Sequence, residues 1–403
     1  MSGHEVAGVH EDAREMHGEL VQLRHALHAE PEIGLELPRT QDKVLEAVDG
    51  LGLEISTGTG LSSVTGVLRG AGDGPVVLLR GDMDALPVGE ADGLDYRSRF
   101  AGRMHACGHD LHTAMLAGAA RLLAQHRDRL RGDVVFMFQP GEEGFDGARA
   151  MLDEGVLEAA GRPVAAAFGM HVFSALLPQG TFVTRPGTML SASDELHVVV
   201  RGSGGHGSAP QHARDPVTAA AEMVTALQTM VTRRFDVFDP VVISVGSLHA
   251  GEAVNVIPDR ARFSATVRTF SDTARSRVLD EAPALLGGIA AAHGVAVEVD
   301  VAAGYPPTVT DEDETAFAVQ QVHELVGPQR HVTLPHPFSG SEDFSRVLDS
   351  VPGSFIGLGA APADGDPQRA PFNHSPHARF DDAVLADGAA LYAALALART
   401  GDR

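Results

Sequence analysis

Tryptophan is absent from the 403 residues, tyrosine occurs three times, and aromatic residues make up only 5 %. Too few flat rings remain for a platform that stacks nucleic-acid bases. Basic residues are also scarce, 31 Lys and Arg against 54 Asp and Glu, which leaves a formal charge of −23. That charge repels phosphate backbones and anionic bilayers, so neither nucleic acid nor a membrane is an expected partner. The single cysteine, Cys107, excludes an internal disulfide. A buried thiol, a nucleophile and a metal ligand all stay open for it. No apolar run of about 18 residues is present to span a bilayer. The opening segment MSGHEVAGVHEDAREMHGEL lacks the basic-then-apolar order of a secretory signal, and the cytoplasm is the expected address.

What is present reads as a globular enzyme. Hydrophobic residues make up 44 % and charged residues 21 %, with no low-complexity tract. The length exceeds one ordinary core and favours two domains. A helix is expected over residues 12–30, with Leu20, Leu23 and Leu27 on one face and Pro31 beyond its end. A second is expected over 39–51. Nearly unbroken apolar runs follow at 76–79, 134–138, 164–168 and 355–358. Runs of that length without alternation suit strands covered on both faces, as in a largely parallel sheet. A helix at 111–125 lies between the first two.

The middle of the chain changes character. Segments 195–202, 241–248, 261–270 and 295–301 read as strands, and Val295, Val297, Val299 and Val301 alternate with Ala296, Glu298 and Asp300. Alternation means one wet face, as in an antiparallel sheet. Asp215-Pro216 supplies a cap and a first-turn proline for a helix with Ala220, Val224, Leu227 and Val231 as its buried stripe. Another helix is expected over 271–293. The order strand–helix–strand–strand–helix–strand is that of a ferredoxin-like unit. Helices near 314–325 and 382–398 then complete the flanking layer. The expected architecture is α/β: a discontinuous α/β/α domain with a mostly parallel sheet over 1–190 and 304–403, and an inserted α+β domain over 191–303.

Polar residues cluster just after the apolar strands: Asp82 and Asp84, then Glu142 and Glu143, then His171, then Asn373 and His374. Ligands of open α/β sheets bind outside the carboxyl ends of strands. The segment HACGHD adds Cys107 and His109 just before a helix, where the dipole and a nearby cation favour a thiolate. Singly, each residue has an ordinary reading: a core histidine, a small buried thiol, a solvated glutamate pair, a turn aspartate. Jointly they point to a metal site. Thiolate, imidazole and carboxylate together favour zinc, with manganese, cobalt or nickel as alternatives.

The segments LRHALHAEPEIGLE, RGDMDALP, HACGHDLHTA, FQPGEEG, GMHV, GSGGHGS, EAVNVIPD, SGSEDF and NHSP run in order along nearly the whole chain. Together they resemble the amidohydrolase branch of the aminoacylase-type dinuclear metallopeptidases, which includes hippurate hydrolases, auxin-conjugate hydrolases and N-acyl-glutamine aminoacylases. The resemblance implies that Cys107, His109, Glu143, His171 and His374 hold two divalent ions, with Cys107 bridging. It implies Glu142 as general base, Asp84 as an auxiliary carboxylate, and His206 and Asn255 of the insert as substrate contacts. The insert would then serve as a lid and dimerisation domain. The implied reaction is hydrolysis of an N-acyl amino acid or similar small amide by a homo-oligomer, a dimer or larger. Gln211 departs from the histidine common after the GxGGHGxxP pattern, which touches the lid contacts and not the catalytic set. Two rivals remain open: a cysteine hydrolase using Cys107 with His109 or His171 as base, and a zinc-dependent binding protein without turnover.

Overall fold

The computed structural model describes residues 3–401. They divide into two compact units, Met1–Met189 with Val309–His336 and Asp343–Arg403, and Leu190–Thr308 with Pro337–Glu342.

The first unit is built on an eight-stranded sheet. Its order is Glu54–Thr57, Val64–Leu68, Val134–Gln139, Val76–Asp82, Val164–Phe173, Gly353–Gly359, Phe182–Thr184 and His331–Thr333. Neighbours among the central four, from Val134–Gln139 to Gly353–Gly359, pair in parallel. Antiparallel pairs join Glu54–Thr57, Val64–Leu68 and Phe182–Thr184 to this centre, and His331–Thr333 pairs in parallel with Phe182–Thr184. Every residue of Val76–Asp82, Val134–Gln139 and Gly353–Gly359 is buried. Val134, Phe136 and Phe138 share one core with residues of helices His109–Gln125 and Leu385–Thr400. Val135 and Met137, which face the other way, are equally inaccessible. Both faces are covered, which is why these strands are apolar without alternation.

Several elements depart from the sequence expectation. The helix expected over 12–30 is two helices, Gly3–Glu15 and His17–His28, separated at Met16, whose ψ is 1°. The run 164–168 continues as a strand to Phe173, because its pairing with Gly353–Gly359 carries on through His171 opposite Gly357. His171 is therefore within a strand, and Asp82 is the last residue of one. The strands Glu54–Thr57, Phe182–Thr184 and His331–Thr333 were not expected; three or four residues are too short to show a period. Residues Asp382–Thr400 are long and apolar enough to cross a membrane, yet 83 % of that segment is buried inside the protein.

The second unit carries an antiparallel four-stranded sheet in the order Val241–Ala250, Arg260–Thr269, Ser193–Arg201, Ala296–Tyr305. Helices Pro216–Arg234 and Asp272–His293 share one core with it. The side chain of Asp215 caps the first helix through the Val217 N–H, and Ser271 caps the second through the Ala274 N–H. The buried stripe of the first helix is Ala219, Ala220, Met223, Leu227 and Met230; Val224 and Val231 flank it, half-buried. The stripe is turned toward the methionines because Met is long enough to reach the sheet and apolar enough to stay there.

Candidate metal centre

The first unit delivers its polar residues to one place through four strands and the turn that opens a helix. Strand Val76–Asp82 leads directly into Asp84. Strand Val134–Gln139 is followed by Glu142 and Glu143. Strand Val164–Phe173 carries His171, and the loop after Gly353–Gly359 carries Asn373 and His374. Cys107 and His109 come from the turn that opens helix His109–Gln125. There Gly108 adopts φ 86°, a left-handed conformation, and a Cβ at this position would lie 2.4 Å from Val172 Cγ2. Only glycine lets the turn close this tightly against the His171 strand.

The donor atoms converge. Cys107 Sγ lies 3.3 Å from His171 Nε2 and 3.2 Å from His374 Nε2. His374 Nε2 is also 3.2 Å from Glu143 Oε1. His109 Nε2 is 4.0 Å from both Glu142 Oε2 and Glu143 Oε1, and His109 Nδ1 is 3.5 Å from Asp84 Oδ1. The Asp84 carboxylate accepts the backbone N–H of Glu142 at 2.9 Å and of Glu143 at 3.0 Å, so it fixes the turn that presents both glutamates. His374 sits at φ 72°, a conformation that costs a non-glycine residue energy and is often held at functional sites.

The surroundings push the titratable groups in opposite directions. Burial opposes charging His109, yet Asp82, Cys107 and Asp84 hold its pKa well above the ordinary value. Contacts with Cys107 and Glu143 hold His374 up at about 10. Burial, with His112 adding to it, keeps His171 well below the ordinary range and therefore neutral. Burial also pushes the Cys107 thiol up. Among the described residues, both ring nitrogens of His109 are buried without a hydrogen-bond partner, and the buried Glu143 Oε1 has only its ion pair with His374. Buried polar atoms are nearly always satisfied, so these are aimed at something else. Two donor triads, Cys107–His109–His171 and Cys107–Glu143–His374, each have ligand atoms within 4.8 Å of one another, and they share the thiol. Mixed sulfur, nitrogen and oxygen donors around a common thiol fit a pair of transition-metal ions.

The remaining two expected site residues belong to the second unit. His206 lies on the short strand Gly205–His206, paired with Val256–Ile257, and the Asn255 carbonyl accepts the Gly207 N–H at 2.8 Å. Both side chains are exposed, and His206 Nδ1 is 2.8 Å from Ser208 Oγ. Gln211 falls in the turn Pro210–His212. Sequence reasoning passed over His112, which is fully buried and hydrogen-bonded to Asp82 at 2.5 Å. The available signal was its position one helical turn after His109, on the same face.

The sequence profile described as peptidase family M20/M25/M40 matches residues 78–398. Over its length the chain is similar to the thermostable carboxypeptidase 1 of Saccharolobus solfataricus, with 35 % identity over 390 residues and 96 % of each chain covered. It is similar to the IAA-amino acid hydrolase ILR1-like 2 of Arabidopsis thaliana, with 37 % identity, covering 94 % of this chain and 84 % of that one. Among solved structures it is similar to a Bacillus subtilis protein described as a dinuclear metal binding peptidase. The TM-score is 0.81 at 32 % identity, with 96 % and 99 % of the two chains covered.

Proposed function

Because the chain belongs to peptidase family M20/M25/M40, we propose that this hydrolase cleaves the amide bond of N-acyl amino acids or similar small amide conjugates. The observation that carries the reading is the pair of donor triads sharing the Cys107 thiol, with Glu142 beside them. The relative that acts on an IAA–amino acid conjugate and the dinuclear neighbour support it.

Cys107, His109, Glu143, His171 and His374 would hold two divalent ions, zinc foremost, with manganese, cobalt and nickel as alternatives. Bound there, the ions supply Lewis-acid stabilisation of developing negative charge and make water acidic near neutral pH. Glu142 takes the proton of the attacking water and returns it to the leaving nitrogen. Its neighbour Glu143 is committed to ligation, so adjacent carboxylates take different roles. Asp84 orients the turn bearing both. His206 and Asn255 serve as polar contacts to the substrate carbonyl or carboxylate. The proposal extends to a cytoplasmic homo-oligomer, for which the edge strand Val241–Ala250 offers unpaired backbone to a second copy. The cysteine-nucleophile alternative is disfavoured, because it leaves the cluster of His109, Glu142 and Glu143 beside the thiol without a role.

Chelation should abolish hydrolysis of a panel of N-acetyl, N-benzoyl and long-chain N-acyl amino acids, and added divalent metal should restore it. Glu142→Gln should keep its metal content while kcat falls by roughly 10²- to 10⁴-fold, the usual contribution of a general base. Full activity in metal-stripped protein would overturn the reading.

A further inference from the structure

The backbone of Val172 is held at both its N–H and its carbonyl. Its N–H donates to His112 Nε2 at 2.8 Å. Its carbonyl accepts from His171 Nδ1 at 2.8 Å and from Asn373 Nδ2 at 3.0 Å. Since His112 Nε2 accepts, the His112 proton is on Nδ1, where it is donated to Asp82 Oδ1 at 2.5 Å. Both nitrogens of His112 are thereby engaged. It has no lone pair left for an ion, although Asp82, His109 and His112 crowd together closely enough to be taken for ligands. Asp82 is anchored in turn by the buried Arg80, 2.5 Å away, which also donates to Gln139 and Asp343.

Asn373 works from the other direction. Its amide nitrogen donates to the Cys107 carbonyl at 3.2 Å as well as to Val172, and lies 3.8 Å from Cys107 Sγ. Its oxygen accepts from the Ser174 N–H at 2.9 Å and shares the single Ser174 Oγ proton, at 3.0 Å, with the Pro371 carbonyl at 2.9 Å. Carbonyls on one side and donors on the other leave the amide a single orientation. The next residue is His374, whose N–H donates to the Ala106 carbonyl at 2.8 Å. One side chain therefore ties together the segments bearing Cys107, His171 and His374.

We infer that Asn373 and His112 are positioning residues: they clamp the Val172 peptide so that His171 keeps Nε2, and Cys107 keeps Sγ, aimed at a common cation. The inference rests on the metal reading above. His171 can present Nε2 as a lone pair only while Nδ1 donates to Val172; Asn373 holds that carbonyl directly, and His112 holds the N–H on the other side of the same Cα. Outer hydrogen bonds of this kind are worth about 10- to 100-fold in metal affinity.

The test is titration of metal-free, folded protein with cobalt(II), following the thiolate-to-cobalt charge-transfer absorption and the bound stoichiometry. The wild type should take up two equivalents. Asn373→Ala should weaken the step that develops the thiolate band by about 10- to 100-fold and shift the band. Ser174→Ala removes the hydroxyl that anchors the Asn373 oxygen but spares the amide donor, and should titrate close to wild type. Asn373→Ala behaving as wild type, or Ser174→Ala matching Asn373→Ala, would overturn the inference. His112→Asn can still donate to Asp82 but is too short to reach Val172. It should weaken the same step, and it carries the test should Asn373→Ala not fold; an unchanged titration there also overturns the clamp. A wild type that takes up no cobalt, or shows no thiolate band, refutes the metal reading itself, a result separate from either variant outcome.

Discussion

Arg24, His28 and Asp110 form a buried ionic group behind the HACGHD turn. Arg24 Nε donates to Asp110 at 2.9 Å, and His28 bridges Asp110 at 2.8 Å and Glu90 at 3.0 Å. Burial works against charge on His28, but Asp110 and the hydrogen bonds to Asp110 and Glu90 hold its pKa up at about 9. A histidine whose pKa is raised on folding contributes stability that is fully present below its unfolded pKa, near 6.5, and is lost as pH rises through the folded one. Urea unfolding should therefore show stability declining between about pH 7 and pH 10 by roughly 3 kcal/mol from this group. His28→Gln should flatten that slope; an identical slope in the variant would remove His28 from the account. Little of this was legible beforehand. LRHALH read as a helix face, and nothing in its spacing announces that Arg24 and His28 meet a residue about eighty positions later. The site residues were more legible, because carboxylates and imidazoles at successive strand ends have few other uses.

Among the elements, the turn into helix His109–Gln125 is the one on which the centre depends. Gly108 opens that helix, its carbonyl accepting the N–H groups of Leu111 and His112, and its left-handed φ faces Val172 and Phe380. Gly108→Ala adds the left-handed penalty of about 1–2 kcal/mol and a clash that the fully buried Val172 cannot relieve without moving His171. The variant should be destabilised by about 2–4 kcal/mol in denaturant melts and should bind metal more weakly. A neutral result would mean that the strand gives way freely. Strands were readable wherever burial on both faces made the run long and apolar. The three-residue strands were not, since pairing alone defines them. The break at Met16 has a related cause of obscurity: Val9, Ala13, Met16 and Leu20 continue one buried stripe across it, and the isolated Gly18 just beyond is of a kind that helices tolerate.

Across the whole molecule, two separate cores imply two separate responses to metal. Ligands that bind only the folded state stabilise it by about 4 kcal/mol at a thousandfold excess over Kd, and Cys107, His109, Glu143, His171 and His374 all lie in the first unit. Chelation should accelerate hydrogen exchange in Val164–Phe173 and at the start of His109–Gln125, while Ser193–Arg201 keeps its protection. Equal loss of protection in both units would refute this. The amino-acid order alone determined the broad plan: a doubly covered sheet interrupted by an alternating one, the residue types capable of holding metal, and the absence of any disulfide. These follow from periodicity and composition, which act over a few residues at a time. Tertiary structure alone decided which histidine is spent on a hydrogen bond and which keeps a free nitrogen. Nothing in the order of residues shows that His112 spends both nitrogens on Asp82 and Val172, or that His171 spends only Nδ1; the backbone of Val172, brought between the two by folding, tells them apart.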